Sequence, residues 1–264
     1  RIPGVLQRIA VCYLIVSIIF LHTSWKQQAV IGGVLLLLYW YLMTAISVPG
    51  CGMTTIDDKA CNLAAYIDRI ILTANHLWSQ AKVFDPEGIL STIPALVTTI
   101  CGVLTGTWLM TDRTRVEKAG GIFFGGTALL AVGWFWSLLF SLNKALWTSS
   151  YVLYTAGLAL LTLGFCYWLI DVKGYKRWSN PFVIFGVNAL ALYVFSGLMS
   201  GLLGEIQVPG PEGTDLTLHG WIFDNLYLSW AAPIDASLAF AVSYVLFWLF
   251  LMWLLYRKGI YIRV

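Results

Sequence analysis

The chain has 264 residues, of which 59% are hydrophobic and only 11% are charged. A soluble globular domain carries about 25% charged residues, so this composition excludes an ordinary soluble protein and predicts a polytopic membrane protein. The formal net charge of +3 is small, and the basic residues are scattered at loop ends rather than gathered in a stripe. We therefore expect no binding to nucleic acid.

Seven apolar runs are long enough to cross a bilayer, because a spanning helix needs about 17–25 apolar residues. Their pattern indicates helices and lacks the alternation that is typical of a membrane β-barrel. The predicted fold is therefore an all-α bundle of seven spans, and residues 1–264 are treated as one transmembrane domain. The predicted spans cover residues 5–21, 29–48, 89–110, 121–140, 151–170, 181–203 and 234–256.

The Lys and Arg residues are unevenly divided between the two sides of these spans. If the first span enters from outside, the inner segments hold ten of them and the outer segments hold six. The loop of residues 205–233 holds none. Because cytoplasmic loops are enriched in Lys and Arg, we expect Val264 in the cytoplasm.

The outer loop of residues 49–88 is too long for a simple turn. Residues 63–72 have an amphipathic pattern, which predicts a helix lying on the membrane surface. Cys51 and Cys61 share this loop, and on the oxidising side of a membrane we expect them to form a disulfide. The cysteines that fall inside predicted spans are interpreted as small packing residues, namely Cys12, Cys101 and Cys166.

Polar residues gather at the predicted outer face, where three separate loops bring opposite charges together. Asp85 and Glu87 open the third span, and ionisable groups in such a place are often functional. Each of them could also be a helix cap or a partner of the helix dipole. A small-residue stripe that includes Gly102 and Gly106 follows in the same span and would allow close helix packing. The other members of the outer group are Arg1, Gln7, Arg8, Asn143, Lys144, Trp147, Ser149 and Ser150.

Two polar residues fall inside predicted spans. Arg8 lies more than one turn into a helix that begins near Pro3, so it needs a partner, a polar cavity or an outward path for its charged end. Asn188 has a similar need, which either an interhelical hydrogen bond or a ligand would meet. None of the three histidines, at positions 22, 76 and 219, has metal-ligand spacing, so no metal is expected.

Several strings resemble the membrane acetyltransferase family of heparan-α-glucosaminide N-acetyltransferase and its bacterial relatives. They occur in order and at similar spacing from Arg1 to nearly Val264. The strings are residues 1–8 (RIPGVLQR), 48–51 (VPGC), 65–69 (AYIDR) with 76–77 (HL), 85–90 (DPEGIL), 143–147 (NKALW) with 150–152 (SYV), and 171–174 (DVKG).

This resemblance implies transfer of an acetyl group from cytosolic acetyl-CoA to an amino sugar on the far side of the membrane. It also implies that the family's catalytic histidine lies in an outer loop before the string at residues 1–4. None of the three histidines here matches it, although His76 matches a separate family position. On this interpretation the chain is the last seven spans of a larger bundle, and its partners are lipid, the amino sugar and the preceding helices, with a homodimer left open.

Acyl transfer to an amine needs a base and donors that stabilise an oxyanion, and the outer residues can be assigned to such roles. Asp85 or Glu87 could orient the histidine or bind the sugar ammonium. Arg8 and Lys144 could bind an anion or stabilise developing negative charge. Hydroxyl and amide groups could contact the sugar or the thioester carbonyl, and the residues that carry them are Asn143, Ser149 and Ser150.

Two other classes of protein compete with the acetyltransferase. An amino-sugar transporter would show inverted repeats and interrupted helices near the membrane midplane. We find no internal repeat in the sequence, and the polar group lies at a face rather than at the centre. A structural or assembly subunit is the third class, and it would bind no CoA.

Overall fold

The computed structural model describes residues 2–51, 56, 58–79, 81–209 and 215–262. Within them, six helices are long and apolar enough to cross a membrane, and one bent helix pair makes a seventh candidate. These seven coincide in order with the seven predicted spans, so the all-α polytopic fold is confirmed. The backbone contacts divide the chain into two compact units, Arg1–Gly174 and Tyr175–Val264. The prediction of a single domain stays a prediction.

The first unit contains five spanning helices and one short helix. Helix α5 begins six residues before the predicted span, because Thr114 and Glu117 cap its first turn through reciprocal hydrogen bonds. A single turn of π-helix, Trp168–Val172, extends the last helix. The helices are α1 (Val5–His22), α2 (Trp25–Ala45), α3 (Leu63–Leu72), α4 (Thr92–Leu109), α5 (Arg115–Ser137) and α6 (Ser149–Tyr167).

The connections of the first unit collect at two opposite ends of its helices. One end, here called the loop end, holds the start of α1, the long loop with α3, the start of α4 and the 138–148 loop. A hydrogen bond of 2.6 Å from the Tyr39 hydroxyl to the Leu146 carbonyl joins α2 to that last loop. At the opposite end, Arg115 Nη1 donates to the Asp171 carbonyl over 3.1 Å.

Helix α3 has the bounds that the amphipathic pattern predicted. The Asn62 side chain caps it by accepting the Ala65 amide at 2.9 Å. Its first turn is buried, and Leu63 and Ala64 pack in a cluster with Tyr39 and Phe140, whereas Ile70 and Ile71 are exposed. The helix is therefore fixed to the loop end of the first unit by apolar contacts.

The tightest helix packing is between α5 and α6. A Cβ atom built on Gly157 would lie 2.5 Å from the Leu130 nitrogen, so only glycine allows this approach. Gly133 meets the Tyr154 backbone in the same way. The predicted small-residue stripe on α4 is packed less closely. Apart from the backbone of α4 itself, no atom of the described residues comes within 4 Å of a Cβ built on Gly102 or on Gly106.

The second unit contains a bent span, a hairpin and a long final helix. Helices α7 (Asn180–Val187) and α8 (Ala189–Glu205) continue one another across a bend of 71° at Asn188. Strands β1 (Gln207–Pro209) and β2 (Asp215–Thr217) pair antiparallel, with Val208 opposite Leu216. Helix α9 (Leu218–Leu226) and the span α10 (Pro233–Arg257) follow. The sequence predicted neither the hairpin nor α9.

We expect Gly157→Ala to destabilise the protein and Gly102→Ala to leave it unchanged or slightly stabilised. Both changes add one methyl group to a helix, but only the first places it against backbone, where overpacking costs about 1–3 kcal/mol. Thermal unfolding of the purified protein in detergent measures the difference. Equal melting temperatures for the two variants would contradict the close approach of α5 and α6.

Candidate functional site

Asp68, on α3, holds the acidic turn of residues 85–89 in place through hydrogen bonds. Its side chain is 1% exposed, and its Oδ1 accepts the Ile89 amide at 2.9 Å. The Asp85 amide donates to the same carboxyl group. A Cβ atom on Gly88 would overlap this carboxyl group, so glycine is required at that position. The turn and α3 are therefore one hydrogen-bonded assembly.

Burial raises the pKa of Asp68 from its ordinary value to about 6. Removal of the carboxyl from water is the main cause, and the nearby Asp85 carboxylate adds to it. The amide bonds from Ile89 and Asp85 and the charge of Arg8 act in the opposite direction. Asp68 therefore changes its charge close to neutral pH.

The two carboxylates of the acidic turn differ in exposure. Asp85 is 3% exposed, and its Oδ1 accepts the Glu87 amide at 3.0 Å. Glu87 is only half-buried. Both carboxylates are close enough to Arg8 for their charges to interact with it. Asp85 therefore shapes the turn, and Glu87 is the carboxylate that a ligand would meet.

Arg8 connects α1 to the acidic turn and to α4. Its Nη2 donates to the Gly88 carbonyl at 3.2 Å and also to the Ser91 hydroxyl. The guanidinium carbon lies 5.5 Å from the centre of the Trp147 ring, which is within the range of a cation–π contact. The side chain is 9% exposed. The predicted need of Arg8 for partners is thus met by this turn and by the Trp147 ring.

Trp147 covers Arg8 from the 138–148 loop in a strained backbone conformation. Its φ is 54°, in the left-handed region that bulky residues rarely adopt. Its indole Nε1 donates to the Thr98 hydroxyl on α4 at 3.1 Å. Strain of this kind persists only where the surrounding contacts hold the residue in place.

Hydrogen bonds of the polar residues around Trp147 hold this part of the chain in place. The Asn143 side chain accepts the amides of Ala145 and Leu146 at 2.9 and 3.2 Å. Ser149 and Ser150 are 0% exposed, and their hydroxyls donate to backbone carbonyls on α2 and in the loop at 2.7 and 2.5 Å. A sugar could reach these groups only if the bonds broke. The geometry makes them part of the loop scaffold, and their contact with a substrate stays a prediction.

His76 is exposed at the same end of the first unit. Its Nδ1 lies 3.0 Å from the Leu72 carbonyl and 3.1 Å from the Thr73 hydroxyl. Because a carbonyl only accepts, the first contact places a proton on Nδ1. The His76 carbonyl accepts the Ile2 amide at 3.0 Å, which ties this loop to the start of α1.

The remaining predicted residues are dispersed. Gln7 and Lys144 are exposed, whereas Arg1 lies outside the described residues. Asn188 is in the second unit and is wholly buried. Its amide group bonds the backbone of Ile260 at 3.1 Å and of Ile262 at 2.8 Å. It therefore secures the C-terminal segment at the bend between α7 and α8.

The loop of residues 49–88 contains a disulfide between Cys51 and Cys61, with the sulfur atoms 2.03 Å apart and the Cα atoms 5.6 Å apart. The bridge closes the chain just before α3. Cys12 is a free thiol that is buried. Free thiols of intermediate burial occur at positions 101 and 166.

Asp68 and Ser91 are the site residues that the sequence analysis did not single out for a role in the site. Asp68 had one detectable signal, because it stands three and four residues after Ala65 and Ala64, on the apolar face of an amphipathic helix. A carboxyl on a buried face needs hydrogen-bond partners. Ser91 gave no comparable signal, since a serine next to a helix start is ordinarily a cap.

The fold and the site together define an integral membrane protein, an all-helical bundle with a charged cluster at one end. No family model matches the chain. Heparan-alpha-glucosaminide N-acetyltransferase of Homo sapiens is 31% identical to it, over a match that covers 74% of this chain and 36% of that protein. The Mus musculus protein of the same name is 29% identical, with 74% and 37% covered.

These matches identify the chain as a relative of the heparan-alpha-glucosaminide N-acetyltransferase family. The chain spans just over a third of the length of the curated relatives it matches.

We expect Asp68→Asn to remove one component of the pH dependence of stability. A carboxyl whose pKa is raised in the folded state stabilises the fold below the unfolded pKa, and this stabilisation is lost as pH rises through about 6. Each unit of pKa corresponds to about 1.4 kcal/mol, so a rise from 3.8 to about 6 corresponds to a loss on the order of 3 kcal/mol. The melting temperature of the wild type should therefore fall relative to that of the variant as the pH rises from 4 to 8.

Asp112→Asn is the matched control, because Asp112 is an exposed carboxylate between α4 and α5, away from the acidic turn. Its pH profile should follow the wild type. Parallel profiles for Asp68→Asn and the wild type would show that Asp68 does not titrate in this range.

Proposed function

We propose that this chain forms part of a membrane N-acetyltransferase that moves an acetyl group from cytosolic acetyl-CoA to an amino sugar on the outer side of the membrane. The names of the relatives support the reaction class. One structural observation supports the location of the site. The strings at residues 2–8, 65–69, 85–90 and 143–147 are far apart in the sequence, and they meet at the loop end of the first unit.

The loop end offers the groups that acetyl transfer to an amine requires. A base must accept a proton from the amine, and hydrogen-bond donors must stabilise the developing oxyanion. Glu87 is a half-buried carboxylate that could bind the sugar ammonium and take its proton. His76 presents an exposed imidazole at the same end, and Arg8 supplies a fixed positive charge. A histidine elsewhere in the longer protein could share these roles.

The distribution of Lys and Arg supports an outer position for the loop end and a cytoplasmic position for the C-terminus. The opposite end of the first unit carries Arg113, Arg115 and Lys173. In this orientation acetyl-CoA approaches from the basic end and the sugar from the acidic turn. A bacterial inner membrane is the compartment that we propose.

An amino-sugar transporter is the second candidate, and the bend between α7 and α8 is the observation that favours it. Interrupted helices line substrate sites in many transporters. At this bend, however, the amide of Asn188 bonds the backbone of Ile260 and Ile262. A transport assay with labelled glucosamine and no acetyl donor separates the two functions.

We expect Glu87→Gln to lower acetyl transfer by about 10²-fold or more, because an amide neither binds an ammonium as strongly nor accepts its proton. Asp85→Asn should also lower the rate, through the shape of the turn. The assay is transfer of label from acetyl-CoA to glucosamine by the full-length protein in membranes. Glu205→Gln, an exposed glutamate at the end of α8, is the matched control. Full turnover by both acidic-turn variants at normal expression would make these carboxylates structural.

The orientation has a separate test by cysteine labelling in intact cells. The background keeps the disulfide and replaces the three free cysteines. We expect Lys82→Cys to react with a membrane-impermeant maleimide and Arg115→Cys to react only after the membrane is opened, since the reagent does not cross a bilayer. Both positions are exposed. The reverse pattern would invert the proposed orientation.

A further inference from the structure

The Nε–H group of Arg8 is a buried donor that no atom of the described residues accepts. Its Nε has no hydrogen-bond partner among the described residues, although the side chain is only 9% exposed. A buried donor that lacks a partner costs roughly 1–3 kcal/mol. Such groups are rare in native structures and call for a specific explanation, such as a ligand.

Contacts of Nη2 and of the guanidinium face hold the Arg8 side chain in place, so the direction of its Nε–H bond is fixed as well. Nη2 is committed to the Gly88 carbonyl and the Ser91 hydroxyl, and the Trp147 ring lies 5.5 Å away. These contacts come from three different elements, namely the acidic turn, the start of α4 and the 138–148 loop. A donor that is held in place before a ligand arrives stabilises new charge without reorganisation.

The surroundings favour an oxygen atom that gains negative charge during a reaction. Asp85 and Glu87 already place negative charge near Arg8, which disfavours a permanently charged anion such as phosphate. A neutral carbonyl oxygen meets no such repulsion on entry. The same carboxylates suit the positive charge on an attacking amine.

We propose that the Nε–H of Arg8 binds the carbonyl oxygen of the acetyl donor and stabilises the oxyanion that forms during transfer. The inference rests on the proposed function and assigns the oxyanion role to Arg8 rather than to Lys144, which is exposed.

With a thioester donor, the electrons and protons of this step balance. The amine nitrogen uses its lone pair to form the C–N bond, and the carbonyl electrons move onto the oxygen that faces Arg8. The adduct then restores the carbonyl and breaks the C–S bond. The nitrogen loses one proton to a carboxylate, which passes it to the leaving thiolate. The products are the amide and the thiol.

The test is Arg8→Lys in the full-length protein in membrane vesicles, with acetyl-CoA and glucosamine as substrates. Lysine keeps the charge but has no donor equivalent to Nε. We expect kcat to fall by about 10²–10³-fold, as for loss of an oxyanion donor. Both KM values should stay within about threefold, because ground-state binding is not the interaction removed. Arg257→Lys, which changes an arginine that lies over the Trp253 ring at the end of α10, should keep the wild-type rate.

A second measurement uses the wild-type protein and does not depend on the folding of a variant. The donor is dithioacetyl-CoA, in which sulfur replaces the acetyl carbonyl oxygen and accepts hydrogen bonds only weakly. We expect its transfer to be at least about tenfold slower than that of acetyl-CoA. Equal rates for the two donors would overturn the role of Arg8.

The outcomes also separate this inference from the proposed function. If the wild type transfers acetyl groups and Arg8→Lys does so at the same kcat, the role of Arg8 is wrong and the acetyltransferase remains. If the wild type transfers no acetyl group to glucosamine or to other amino sugars, the proposed function and the role of Arg8 both fail.

Discussion

The hydrogen bonds between the Asp68 carboxyl group and the acidic turn are the constraint on which the loop end depends. They hold residues 85–89 against α3 and leave the Gly88 carbonyl directed at Arg8. Arg8 then joins α1 to the turn and to Ser91 at the start of α4. One buried carboxyl group thus determines where α1 and α4 meet, although it lies on neither helix.

Trp147 extends this constraint to the remaining loop. Its left-handed backbone is stabilised by hydrogen bonds to backbone groups from Asn143 in the loop and from Ser149 and Ser150 at the start of α6. The strain places the indole between Arg8 and Thr98. In a membrane protein a buried loop has no water to satisfy its polar atoms, so these side chains must take that role.

The spans could be predicted because their length and apolar content follow directly from the thickness of a bilayer. The start of α5 could not be placed, since it depends on the reciprocal cap between Thr114 and Glu117 rather than on hydrophobicity. The hairpin and α9 were missed because strands of three residues leave no periodic pattern. For the site, the sequence located the loops that meet but gave no sign of which polar atoms the fold would use.

Whether the fold uses a polar atom distinguishes the residues that build the loop end from those proposed to bind a ligand. The sequence places Ser149, Ser150, Asn143 and Arg8 in one polar group, but the first three make hydrogen bonds to backbone atoms. Arg8 makes some of its bonds, and its Nε has no partner among the described residues. In a low-dielectric setting an unused donor is costly, so it persists only where another requirement outweighs stability. The imbalance at Arg8, rather than the density of polar residues, is therefore the observation that supports the role proposed for it.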